Sequence, residues 1–289
     1  MSIAKFYKWL ATFLVVLLLI PFLASGGYAG SVIFGIILIV LASVAIFLWV
    51  KSLFKHSDRK QPIKLTANDI FWLERYIPFY KELKSSDKKI FRDRVGLFLS
   101  QVQITEIDRE LPQKSTCLYV ASSAVIAFWG LPYYNYSDLR EVLVYPSNFE
   151  YDNKLSKLGS VQGKVYHGGL MNNTMILSLP ALISGFSIAN DKKNVGVHEF
   201  AHLLDKADGV IDGLPYNMCE KDREIWSGLA EEAIKEIKIG KSSIPDYGAS
   251  SHAEFFAVLV EYYKECPQLL KLKHPELFAV LERYFSSDE

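Results

Sequence analysis

The run of apolar and polar positions divides the chain into three zones. From residue 9 to residue 50 there is no charge, and the segment reads as two apolar runs, WLATFLVVLLLIPFLA (9–24) and VIFGIILIVLASVAIFLWV (32–50), parted by SGGYAGS. A bilayer core takes about 20 apolar residues per helix, so this window predicts two transmembrane helices joined by a tight turn. Pro21 falls in the first, where a membrane helix tolerates it. Lys5 and Lys8 precede the spans, and Lys51, Lys55, Arg59 and Lys60 follow them. The positive-inside rule then places both the N-terminus and the downstream domain in the cytoplasm, at a multi-pass membrane anchor. A cleaved signal peptide is the competing reading, and the equally apolar second run argues against it. The polar, basic stretch KHSDRKQPIK (55–64) reads as a linker. The remainder holds no repeat and no second linker, so the expected organisation is an anchor over 1–54, the linker over 55–64 and one domain over 65–289.

Within that domain SSDKKIFRDRVGLFLSQVQI (85–104) places Ile90, Val95, Leu97, Phe98 and Val102 roughly on one face and predicts an amphipathic helix. STCLYVASSAVIAFWGL (115–131) predicts a more continuously apolar one. EVLVYPSNF (141–149) predicts a strand ended by Pro146, and GKVYHGGLMNNTMILSLPAL (163–182), with its Asn-Asn turn, a hairpin or short antiparallel pair. REIWSGLAEEAIKEI (223–237), HAEFFAVLVEYYKECPQLLK (252–271) and HPELFAVLERYF (274–285) predict helices. Helices outnumber strands, which points to an α+β domain with a small antiparallel sheet.

Charge and cysteine content narrow the function classes. Lys plus Arg and Asp plus Glu number 32 each, so the net charge is zero, and the only basic cluster flanks the spans. That disfavours direct nucleic-acid binding. The three cysteines, Cys117, Cys219 and Cys266, are far apart and form no Cys-x-x-Cys pair, in keeping with ordinary cytoplasmic thiols.

The chemistry concentrates in VGVHEFAHLLDKADG (195–209), which contains His198-Glu199-Phe200-Ala201-His202, an H-E-x-x-H motif. Histidines four apart on a helix stack on one face, so both rings can reach one zinc ion, and the glutamate beside the first stands where a general base is needed. The bland alternative is an apolar core helix carrying two satisfied histidines. A catalytic zinc takes three protein ligands. Asp208 stands at the last ligand position of the longer H-E-x-x-H-x-x-G-x-x-H pattern, but Asp205 replaces the glycine that pattern requires. The helix after it offers Glu254, Glu261 and Glu265, and Glu254 and Glu261, two turns apart, are not separable by spacing. Asp205 is expected either to orient a ligand or to cap a loop. The TMILSL strand is a candidate for pairing with an extended peptide, and His167 and His252 for lining the cleft. No acidic residue lies within the spans, which sets an intramembrane protease aside.

VHEFAHLLD (197–205), followed some fifty residues on by DYGASSHAEFFAVLVEYY (246–263), resembles the Mlc titration factor A family of zinc-dependent peptidases. The likeness extends through LFLSQVQI, REVLVYPSNF and TMILSLPAL. It implies a zincin-like fold similar to the catalytic domain of anthrax lethal factor, zinc held by His198, His202 and Glu254 in gluzincin fashion, Glu199 as base and Tyr247 as the active-site tyrosine. Peptide or protein substrates are implied with it. The family name, given for binding a transcriptional repressor, implies the alternative of a binding module that holds a cytoplasmic regulator at the membrane. Two features depart from the family's best-known, soluble member: the paired spans, and His252 where that member has proline before Ala-Glu.

Overall fold

The computed structural model describes residues 35, 39–46, 61–132, 136, 139–147, 163–166, 173–188, 191–206, 210–215 and 217–286. The chain divides into two compact units, Met1–Arg59 and Lys60–Glu289. In the first, the described residues 35 and 39–46 are helical. Among the described residues no helix is long and apolar enough to cross a membrane. The two expected spans lie for the most part outside those residues.

The second unit opens with three helices, α1 (Ala67–Tyr76), α2 (Pro78–Glu82) and α3 (Ser85–Gln101). Thr66 and Asp69 close a capping box at the start of α1, each side chain accepting the other's backbone N–H, at 3.2 and 2.9 Å. Helix α3 stops at Gln101, and its expected tail becomes a separate strand, β1 (Gln103–Glu106). Helix α4 (Lys114–Ala127) is buried on nearly all sides, which explains why it carries no amphipathic stripe. The chain continues through β2 (Glu141–Tyr145), β3 (Gly163–Tyr166), β4 (Thr174–Ser178), α5 (Leu179–Ser187), α6 (Val195–Asp205) and α7 (Glu220–Lys238), then a 3-10 turn at Asp246–Ala249, α8 (His252–Glu265), α9 (Pro267–Lys273) and α10 (Pro275–Ser286). Pro267 splits the expected 252–271 helix in two, because proline lacks the N–H and tolerates only the first turn.

The sheet has the order β1-β2-β4-β3. The expected antiparallel pair is present as β3 with β4, registering Gly163 on Leu177 and Tyr166 on Thr174. The sheet as a whole is not antiparallel: β1 pairs with β2, and β2 with β4, in parallel. The physical reason is α4, which carries the chain from the end of β1 back to the start of β2 and so makes a crossover unit. β4 has a partner on each side and is buried throughout. One contiguous apolar core joins the inner faces of α3, α4, α6, α8 and α10 to the sheet.

Candidate metal centre

Helix α6 is placed by its own N-terminus. Asn194 caps it, its side-chain oxygen accepting the Val197 N–H at 3.1 Å, while its amide donates to the Gly185 carbonyl at 3.1 Å and ties α6 to α5. At the second residue of the helix, Gly196 lets it press onto α4 and α5: a Cβ there would collide with Ser123 Oγ and come within 2.9 Å of a Leu182 methyl. Val197, Phe200, Ala201, Leu203 and Leu204 fill the core. The opposite face of α6 therefore presents His198, Glu199 and His202 towards α8 and the Asp246–Ala249 turn.

Three donors converge there. One nitrogen of His198, one of His202 and a carboxylate oxygen of Glu254 lie within 4.8 Å of one another. Glu254 Oε2 is 2.9 Å from His198 Nε2 and 3.5 Å from His202 Nε2. Ser251 caps α8 and accepts the Glu254 N–H at 3.1 Å, so the third donor stands in the first turn of its helix. Two borderline imidazoles and a hard carboxylate are a donor set that suits a divalent ion such as zinc.

Glu261 lies elsewhere. Its Oε1 is 2.6 Å from His198 Nδ1, on the far side of the ring from Glu254, and its Oε2 accepts the Asn194 N–H at 2.6 Å. The two acids that spacing leaves equivalent are thus separated by where the His198 ring sits between them. Glu265, one turn further, accepts the Lys193 N–H at 3.0 Å and takes no part in the cluster.

Electrostatics follow burial and pairing. Glu199, 5% exposed, has its pKa raised, chiefly by desolvation. Burial pulls the His198 pKa down, but the Glu261 carboxylate, with Glu254, outweighs it and holds the imidazole well above its ordinary value. Burial pushes Glu254 up, and hydrogen bonds from both histidines prevail, holding it far below the usual carboxylate range. Tyr247 stands in the 3-10 turn with its ring 5.7 Å from that of His198; burial first, then the nearby acids Glu254 and Glu199, raise its pKa.

The remaining candidates fall outside the donor cluster. Asp205 caps a loop: fully buried, it accepts the Gly213 N–H at 2.9 Å on each oxygen. Gly213 is required there, with φ of +82° and the His252 carbonyl standing where a Cβ would need room. His252 itself is exposed at the start of α8. Asp208 and His167 lie outside the described residues. β4, expected to receive a peptide, has no free edge; β3, the edge strand, packs against α6 instead. The three cysteines are free thiols.

Comparison with known proteins agrees with this geometry. The sequence profile of the glucose-regulated metallo-peptidase M90 family matches residues 53–286. The chain belongs to this family. Among its relatives, an uncharacterised protein of Synechocystis sp. is 28% identical over 219 residues, covering 72% of this chain and 80% of the relative. The Mlc titration factor A of Pectobacterium atrosepticum is 28% identical over 160 residues, 51% of this chain and 59% of the relative, and that of Yersinia pestis is 28% identical over 160 residues, 51% and 58%. The chain thus spans less than two thirds of the titration factors it matches. The M90 match includes every residue of the donor cluster, and the sequence resemblance to the titration factors holds at the family level.

Proposed function

We propose that the chain is a membrane-anchored zinc peptidase with a zincin-like, cytoplasmic domain, in which His198, His202 and Glu254 hold the metal. The observation that carries this reading is the convergence of those three donors beside the buried Glu199 in a member of a metallopeptidase family. A bound zinc supplies Lewis acidity to the scissile carbonyl and to an adjacent water. Glu199, buried between the two histidines on α6, takes the water's proton and later delivers it to the leaving amine. Tyr247, whose phenol stays protonated at neutral pH, donates a hydrogen bond to the oxygen on which negative charge develops. The outer edge of β3, beside α6, is the place for an extended substrate to add its main chain, a role the interior position of β4 denies to that strand.

The name of the titration factors favours a second reading, in which this chain captures a transcriptional regulator at the membrane. One experiment separates the two. The full chain is assayed for metal by elemental analysis and for peptide hydrolysis as wild type, Glu254→Ala and Glu199→Gln. The peptidase reading expects about one zinc per chain in wild type and Glu199→Gln, loss of zinc in Glu254→Ala, and hydrolysis lowered about 10²–10⁴-fold in Glu199→Gln. Hydrolysis unchanged in Glu199→Gln defeats it, and regulator capture that survives both substitutions supports the second reading.

A further inference from the structure

Glu261 is an acid 6% exposed on α8, a helix whose other buried residues are all apolar or aromatic, and an uncommitted charge there is costly. Both of its oxygens are committed, and to parts of the same helix. Oε1 faces His198 Nδ1 at 2.6 Å, and Oε2 accepts the Asn194 N–H at 2.6 Å. Asn194 is the residue that starts α6 and His198 is the first donor on it, so one carboxylate grips the helix at its first orphan amide and at its first imidazole. The consequence for the ring is chemical as well as mechanical. A carboxylate at Nδ1 keeps a ring proton there, so that once Nε2 gives up the proton it shares with Glu254 its lone pair is free for an ion at the point between Glu254 and His202. His202 has no such support: its Nδ1 is buried and meets no hydrogen-bond partner among the described residues.

We infer that Glu261 is a positioning residue of the metal centre, which fixes the tautomer and the orientation of His198 by bracing its Nδ1 against the start of the motif helix, and that the metal affinity of the site depends on this brace. The inference rests on the reading of the three donors as a zinc centre. The two acids of α8 then have different roles, since Glu254 meets the ion and Glu261 holds the ligand that meets it. Carboxylates behind ligating histidines change metal affinity by about 10–100-fold when removed.

Zinc dissociation constants measured by chelator competition on the full chain, with no reference to hydrolysis, decide the matter. Glu261→Gln keeps the volume and one acceptor, but turns an amide donor towards one of the two N–H groups. It is expected to weaken zinc about 10–100-fold, and Glu261→Asp, with a carboxylate one methylene shorter, to recover part of that loss. Asn194→Ala is the structural control. It removes the side-chain cap of α6 and the link to Gly185 while leaving the backbone N–H that Glu261 grips, so it should lower the melting temperature of the metal-free chain with zinc affinity within about twofold of wild type. Zinc bound by Glu261→Gln as tightly as by wild type overturns the brace. So does an equal weakening in Asn194→Ala, which would mean that general loosening of the helix start is responsible. A wild-type chain that takes up no zinc defeats the metal centre itself, a result distinct from either.

Discussion

At the scale of single residues, Gly196 and Glu265 show how neighbours reverse an ordinary preference. Alanine in place of an exposed helical glycine stabilises by about 0.5–1 kcal/mol. At Gly196 the added carbon would collide with Ser123 Oγ, so Gly196→Ala has to push α6 away from α4. The expected outcome is a loss of about 1–3 kcal/mol, read from urea unfolding, with zinc affinity reduced because the displaced helix carries two of the donors. Glu265 is raised from 4.5 to about 7, by burial first and then by the nearby charges of Glu261 and Asp191. A folded-state pKa above the unfolded one means that the native chain holds the proton longer. The stability associated with that proton is complete below about pH 4.5 and is lost as pH rises through about 7. Glu265→Gln should therefore gain stability relative to wild type on going from pH 5 to pH 8. Urea midpoints that shift in parallel for the two chains across that range would contradict this assignment.

At the scale of elements, the junction of β1 and α4 illustrates a helix start supplied from outside the helix. Gln113 precedes α4 and makes no side-chain cap. Glu106, the last residue of β1 and 2% exposed, does the capping: its Oε2 accepts the Gln113 N–H at 2.8 Å and the Thr116 hydroxyl at 3.0 Å, and its Oε1 pairs with Arg109 Nε at 2.7 Å. A carboxylate at a helix N-terminus also meets the positive end of the dipole. Glu106→Ala leaves the buried Thr116 hydroxyl without its partner and the Gln113 N–H without its acceptor, and is expected to cost about 1–3 kcal/mol. Because α4 forms the floor on which α6 lies, the same variant should lose metal more readily on heating; a melting curve in the presence and absence of chelator reads both effects. The placement of α6 and α8 was legible in part. HEFAH announced its helix, and the pattern over 252–271 announced the helix that begins as α8, whereas the end of α3 at Gln101 was hidden because Val102 and Ile104 continue the apolar pattern into a strand.

For the whole molecule, the donor cluster brings together two segments more than fifty residues apart in sequence, so a bound ion bridges α6 and α8. Anything that binds the folded chain alone stabilises it by mass action, about 2.7 kcal/mol at a free concentration one hundred times the dissociation constant. Added zinc should raise the melting temperature of the wild-type chain, and chelation should lower it, with the difference abolished in Glu254→Ala. An equal response to zinc in Glu254→Ala would place the ion somewhere other than this cluster.

The sequence alone determined the motif, the helix that bears it, the family and the short list of acids from which a third donor must come, because these depend on residue identity and on the local period of a helix. Spacing did not separate Glu254 from Glu261, since both lie on similar faces of α8; the family resemblance implied Glu254, and the His198 ring stands between the two acids with Nε2 towards Glu254 and Nδ1 towards Glu261. The sequence did not show that the sheet is mainly parallel, because strand direction depends on which strands the helices carry the chain back to rather than on any single strand's residues. Nor did it show that β4 is enclosed and β3 is the edge beside α6. Strand order, ring orientation and the approach of one helix to another are set by long-range packing, and that information resides in the tertiary structure.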